Sequence, residues 1–304
     1  MKRGFIAACA VAAALSAAAT GCTRSGSTEQ ERAADGQEPA YTEQLRISDA
    51  TEALTKRCMN RAGFRYWTSL RLSLEESRPL DYVNDDVAWA AAHGYGSRIQ
   101  EKTDKAHRAN PNGTYREGLS PQRREAYDQA LDGGRDATVL TAEIPTPDGT
   151  AHISKRLGGC SAEAEKKLYG DPAAWFRAAK AVTNLTALYA PRVTRDKEFT
   201  AALAAWSRCM GLAGHPYPDP PAAQDAVARQ AAGLAPDKAF EAEKRVAVAE
   251  ARCAHESSLA DVTRERERHY RAALPGRYRE LIDTYRRLER QAYARASEVT
   301  GPRV

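Results

Sequence analysis

Residues 57 to 66 read Arg57-Cys58-Met59-Asn60-Arg61-Ala62-Gly63-Phe64-Arg65-Tyr66, and residues 208 to 217 read Arg208-Cys209-Met210-Gly211-Leu212-Ala213-Gly214-His215-Pro216-Tyr217. Aligned without gaps, the two stretches share Arg, Cys, Met, Ala, Gly and Tyr at the same offsets. Each reads as the end of a helix. With Gly63 at the left-handed C′ position, Met59 falls at C3 and Phe64 at C″, the pair whose side chains meet in a Schellman ending. Gly214 and Met210 take the same places, and Pro216 forbids the helix from continuing. The two methionines are read as core-filling cap contacts, not as metal or redox ligands. The repeat predicts two similarly built helical halves, each with a cysteine beside its cap.

Working outward, the cysteines come next. Each motif is followed at a distance by one further cysteine, Cys160 or Cys253. Cys9 lies in an apolar leader and Cys22 just after it, so four of the six cysteines, Cys58, Cys160, Cys209 and Cys253, belong to the body. An even number outside the cytoplasm predicts two disulfides. Of the three possible connectivities the repeat favours Cys58 with Cys160 and Cys209 with Cys253, each motif cysteine bonding the next along the chain. A reactive dithiol would call for Cys-x-x-Cys, which is absent.

The leader has the form of an export signal. Lys2 and Arg3 precede an apolar run from Gly4 to Ala19, too marginal for a membrane span. Ala19-Thr20-Gly21-Cys22 resembles the lipobox of bacterial lipoproteins, with Ala19 where Leu is usual. That resemblance implies a diacylglycerol thioether on Cys22 and cleavage before it, and two or more acyl chains suffice for stable anchoring. Removal of residues 1–21 takes away two basic residues, so the formal net charge of +5 falls to about +3. Basic and acidic residues alternate without blocks, which gives no support to nucleic-acid binding.

Composition and turn signals divide the rest. Residues 22–45 are polar, poor in large apolar side chains and read as a flexible tether. Residues 46–170 form the N-terminal half and 171–304 the C-terminal half. Asp49 is a candidate N-cap for a helix through Cys58 to Ala62. Shorter helices follow at about 85–93 and 99–108, and Asn110-Pro111-Asn112-Gly113 reads as a turn. Ser120-Pro121 starts a helix that stops at Gly133 and Gly134. Two β-branched runs around Asp148-Gly149 predict a hairpin over about 138–155, with Pro145 and Pro147 at its turn end. Cys160 opens a helix with Glu163 and Glu165 in its first turns. Asp171-Pro172 caps another that carries Trp175 to Tyr189 and ends at Pro191. A third carries Phe199, Leu203, Trp206 and Met210, and one long helix is expected from Asp237 toward Leu274 before Pro275-Gly276 interrupts it. The fold class is mainly α with one small hairpin.

No nucleophile elbow, Walker loop, dinucleotide-binding glycine pattern or HExxH is present, and no cofactor is implied. The one metal alternative, Cys209, His215, Cys253 and His255, has plausible zinc ligands but lacks finger spacing. Tyr66, Trp67, Tyr82, Trp89 and Tyr95 either line a groove for a glycan or peptide or complete the core. Arg264, Arg266, Arg268, Arg286, Arg287, Arg290 and Arg295 either face anionic lipid or form a salt-bridged surface with Glu265, Glu267, Glu280 and Glu289.

With the lipobox, the duplicated Cys-Met-x-x-x-Gly motif, Gly158-Gly159-Cys160, Ala249-Glu250-Ala251-Arg252-Cys253 and Leu119-Ser120-Pro121 to Leu131 in place, the chain resembles a group of exported actinobacterial lipoproteins. The resemblance implies an envelope role and transfers no catalytic residue. The expectation is a lipid-anchored, extracytoplasmic, non-enzymatic protein that binds an envelope partner, an exporter or a peptidoglycan-associated protein. An envelope hydrolase or transferase is the alternative, and a transporter's substrate-binding lipoprotein a third.

Overall fold

The structure is a computed structural model that describes residues 40–301. The signal segment 1–21, Cys22 and the tether up to residue 39 lie outside the described residues. The fold is mainly helical, with one two-stranded antiparallel hairpin and two disulfides.

Helix α1 spans Tyr41–Arg61 and so starts eight residues before Asp49, within the stretch read as tether. Glu43 accepts from the Ala40 N–H at 3.0 Å, and Arg46 donates to the Thr300 carbonyl at 2.9 Å. Ile47 and Ala50 are buried. Tertiary burial, which local composition does not report, thus extends the helix. After α1 the chain is irregular until α2 (Val87–His93), which is followed by α3 (Ser97–Arg108). That irregular stretch is fastened down by Arg71 to Asp49 at 2.8 Å, by Ser69 N–H to Glu52 at 3.0 Å and by buried Val83.

Asn110-Pro111 begins a helix where a turn was expected. Asn110 Oδ1 accepts from the Asn112 N–H at 2.9 Å and Pro111 opens α4 (Pro111–Glu117). The same two residue types that make turns also make an N-cap and N1 position. Helix α5 (Pro121–Asp132) is capped by Ser120 and ends at Gly133, φ +85°.

Strands β1 (Thr138–Thr146) and β2 (Gly149–Leu157) pair from Thr138 with Leu157 to Thr146 with Gly149, leaving Pro147-Asp148 as a two-residue turn. β1 buries Ala142 and packs on α7 (Pro172–Val182). Both ends of the hairpin are held where Gly158 meets the end of α5: a Cβ on Gly158 would stand 2.7 Å from the Gly133 Cα.

Helix α6 (Gly159–Tyr169) precedes α7, and Asp171 caps α7 by accepting from the Ala173 and Ala174 N–H groups. The helix expected to run on to Pro191 breaks after Val182 and resumes as α8 (Thr186–Val193), which contains Pro191. Thr183 Oγ1 and Asn184 Nδ2 donate to the Ala179 and Lys180 carbonyls, both at 2.8 Å. The Asn184 side chain thus takes the carbonyl that its own N–H would bind in a continuing helix, and that N–H turns to the Ala181 carbonyl at 3.2 Å. Helices α9 (Lys197–Leu212), α10 (Pro220–Ala231) and α11 (Pro236–Glu256) follow. The expected single helix from Asp237 toward Leu274 is two helices, α11 and α12 (Leu259–Ala272). Between them Ser258 has φ +56°, the one positive φ outside glycine among the described residues. Helix α13 (Gly276–Val299) closes the body.

Four apolar clusters hold these elements, the smallest joining Ala90 of α2 to Ala247 and Ala251 of α11. The largest has Phe199, Trp206 and Met210 of α9 against α8, α10, α11, α12 and α13. A second joins Ile47 and Leu54 of α1, Leu168 of α6 and Leu288 and Ala292 of α13. The stretches 46–170 and 171–304 therefore share an apolar layer. The third, Met59, Phe64, Tyr127 and Cys160, surrounds the first disulfide.

Candidate functional site

The repeated motif builds two nearly identical pins. At the end of α1, Phe64 N–H donates to the Met59 carbonyl at 3.0 Å and Gly63 N–H to that of Asn60 at 3.1 Å. At the end of α9, His215 N–H donates to Met210 at 2.8 Å and Gly214 N–H to Gly211 at 3.1 Å. Gly63 and Gly214 have φ +80° and +83°, a conformation that costs any residue with a Cβ. Both endings have the paired bonds of a Schellman motif, and Met59 and Met210 are fully buried. Cys58 bonds Cys160 and Cys209 bonds Cys253, each with Cα atoms 5.5 Å apart.

The pins share one more residue. Cys160 is followed three positions later by Glu163, and Cys253 by Glu256. Glu163 Oε2 lies 3.3 Å from Cys58 Sγ and Glu256 Oε2 lies 3.5 Å from Cys209 Sγ. The duplication thus extends to a Cys-x-x-Glu in each partner helix, a signal that alignment around Cys160 and Cys253 would have exposed.

The pins differ in what covers them. Over the first, Tyr127 of α5 meets Phe64 edge-on at 5.4 Å between ring centroids. Arg123, one turn earlier, sets its guanidinium 4.4 Å above the Phe64 ring and donates to the Gly63 carbonyl at 3.2 Å. Phe64 is buried. Arg61 reaches Glu163 at 2.5 Å. Over the second, the residue in the place of Arg61 is Leu212, which is 92% exposed. Ala213, next in sequence, lines a shallow groove of about 570 Å³ that is bounded also by Cys209 and His215 at the end of α9, by Val248, Ala249 and Cys253 of α11 and by Ala91 of α2. Lys244 on its rim is paired with Glu241 at 2.7 Å. Arg245, Arg252 and Glu256, also on the rim, make no ion pair among the described residues.

Two carboxylates on the other side of α11 face the link between α2 and α3. Glu243 Oε1 accepts from the Tyr95 N–H at 2.7 Å and the Ser97 N–H at 3.2 Å, and Oε2 accepts from the Ser97 hydroxyl. It sits at the first turn of α3, where a helix favours negative charge. Glu250 is 1% exposed and accepts from the Tyr95 hydroxyl at 2.7 Å. Burial pushes its carboxyl up to about 7, against the pull of the hydrogen bond from Tyr95. Sequence reading did not single out this pair, because nothing local marks either glutamate as buried. Both clamp Tyr95 and Ser97 to α11, and Glu250 is closed off from solvent.

The remaining candidates disperse. Tyr66 packs on the first pin, and burial raises its hydroxyl to about 12. Trp67 is held by paired hydrogen bonds with Asn112 at 2.9 and 2.7 Å. Tyr82 and Tyr95 pack on the main core, and buried Trp89 donates to the Glu75 carbonyl at 3.2 Å. These aromatics complete packing at separate places and line no common groove. Arg264 binds Asp85 at 2.9 Å and Asp261 at 2.7 Å. Arg266 binds Glu198 at 3.4 Å, and Arg295 donates to the Leu168 carbonyl at 3.0 Å. Arg266 also binds Glu265 of its own helix. The metal alternative at Cys209, His215, Cys253 and His255 loses both thiolates to the disulfide. Among the described residues no group of three or more His, Cys, Asp or Glu side chains is placed to hold a metal ion.

Comparison with family models, with curated proteins and with solved structures finds no match to this chain.

Proposed function

We propose that this protein is an extracytoplasmic lipoprotein, anchored through acyl chains on Cys22, whose helical body binds another protein of the cell envelope. Two disulfides fit an oxidising compartment outside the cytoplasm. No described helix is long and apolar enough to cross a membrane. The lipobox resemblance supplies the anchor.

One observation carries the interaction reading. The groove beside the second pin is shallow and open, and Leu212, next in sequence to Ala213 of its lining, leaves an apolar side chain 92% exposed. A rigid, disulfide-backed surface with an exposed apolar residue and a charged rim has the composition of a protein contact. An exporter component or a peptidoglycan-associated protein is the kind of partner the envelope role implies. Photo-crosslinking in intact membranes, with benzoylphenylalanine in place of Leu212, should give a light-dependent adduct with one envelope protein. The same group at Val139, exposed on the hairpin, should not. Cys22→Ala should shift the protein from membrane to soluble fractions and remove the adduct. Equal adducts at both positions, or none at residue 212, would sink the interaction reading.

A further inference from the structure

We propose that the groove beside Cys209 and Cys253 receives an amphipathic helix from the partner protein, with a basic residue in its first turns and an aromatic residue one turn later. This inference rests on the interaction reading and names the chemistry of the partner. The chain itself supplies the template, because the same pin occurs twice and the first copy is already covered.

The cover of the first pin is α5. Its Arg123 and Tyr127, four residues apart, lie on one face of the helix. Together they close over Phe64, and Arg123 satisfies the Gly63 carbonyl. The second pin repeats the cap, the buried Met, the disulfide and the flanking glutamate, yet no segment of the described chain occupies the corresponding place. No described side chain donates to the Gly214 carbonyl, whereas Arg123 donates to that of Gly63. His215, in the place of Phe64, is half-buried at the groove edge.

Charge points the same way. Glu163 is neutralised within the chain by Arg61. Its counterpart Glu256 has Leu212 where that arginine would stand and makes no ion pair among the described residues, which leaves it open to a cation on the occupant. Arg245 and Arg252, seven residues apart on one face of α11, call for acidic residues on the occupant. Helix α5 has this polarity, with Arg123 and Arg124 early and Asp128 and Asp132 late. One difference between the pins sets the direction of approach. Cys160 is the second residue of α6, whereas Cys253 lies in the last turn of α11. The cover of the second pin therefore lies in the groove between the end of α9, the Val248–Cys253 stretch of α11 and Ala91 of α2. Helix-in-groove docking of this kind uses apolar anchors one turn apart and charged flanks.

The probe is the chain's own cover, a fluorescein-labelled peptide of residues 119–133, titrated into the folded body with both disulfides intact. Saturable binding with Kd at or below about 100 μM, near −5.5 kcal/mol, is expected. Leu212→Glu and Glu256→Lys in the protein should each weaken it at least tenfold, as should Arg123→Glu or Tyr127→Ala in the peptide. Val139→Glu should leave it unchanged, and melting curves should confirm that Leu212→Glu folds normally. No saturation by about 1 mM, or equal binding of a scrambled peptide, overturns the helix assignment. So does Leu212-dependent self-association, which would make a second copy the occupant. If the peptide binds as expected while membranes give no adduct at residue 212, the helix-receiving groove stands and the envelope partner is what fails.

Discussion

Glu250 shows at the scale of one residue how burial rewrites chemistry. Its carboxyl is raised from 4.5 to about 7 by loss of solvent, although the Tyr95 hydroxyl hydrogen-bonds it. Between about pH 4.5 and 7 the unfolded chain releases this proton and the folded chain keeps it. Stability from this group is therefore full below that window, falls as pH rises through it, and is flat above. The difference is on the order of 3 kcal/mol. Glu250→Gln should remove this slope, and the variant should gain on the wild type as pH rises from 5 to 8 in parallel urea titrations. Parallel curves would contradict the raised carboxyl. The acid limb has other owners. Asp86, held low first by the Trp89 N–H and then by Arg78, and Asp128, held low by Arg116, lose their contribution only as pH falls through their own lowered range. Gly94 belongs to the same clasp. A Cβ there would stand 2.7 Å from Glu243 Oε1 at φ +64°, so both space and backbone call for glycine.

At the scale of elements, helix ends decide most of the architecture. Where an end is written in local chemistry, sequence and structure agree: Ser120-Pro121, Asp171-Pro172, Gly63 and Gly214 all place a cap or stop where the chain has one. The hairpin was legible for the same reason, since alternation and a Pro-Asp turn act over a few residues. The break at Ser258 was not, because a serine gives no local reason to leave a helix four or five residues past Cys253. Its cause is long-range, with Leu259 and Ala260 buried in the main cluster. The pins add covalent constraint to these ends. They close separations of 102 and 44 residues, each worth on the order of 4 to 5 kcal/mol by chain entropy. Replacing either pair with alanines should lower the free energy of unfolding by that amount. Only the Cys209→Ala, Cys253→Ala protein should also lose the peptide. A loss below about 1 kcal/mol in both variants would deny the pins a structural role.

For the whole molecule the informative feature is the layer in which the first helix meets the last. Ile47, Leu54, Leu168, Leu288 and Ala292 pack together although α1 and α13 are more than two hundred residues apart. The aromatic rings of Tyr169, Trp175 and Tyr285 stack beside it, at 3.9 and 5.3 Å between successive centroids. Leu288→Ala should cost about 2 to 5 kcal/mol. Hydrogen exchange should then quicken in α1 and α6 as well as in α13. Acceleration confined to α13 would mean that the two sequence halves fold and open independently.

The candidate site divides along the same line. Its cysteines, methionines and glycines stood out because a repeat is visible in one dimension. The open groove did not, because Leu212 and Arg61 occupy equivalent places and only their surroundings distinguish them. By itself the amino-acid sequence determined the helical class, the hairpin, the two capped ends and the favoured cysteine pairing. All of these follow from backbone preference, missing N–H groups, side-chain capping and a repeat internal to the chain. Tertiary structure alone decided where α1 begins, that Ser258 separates two helices, that Glu250 is buried and that one pin is covered while its twin is open. Those outcomes depend on which distant surfaces exclude water together, and no local window of residues contains that information.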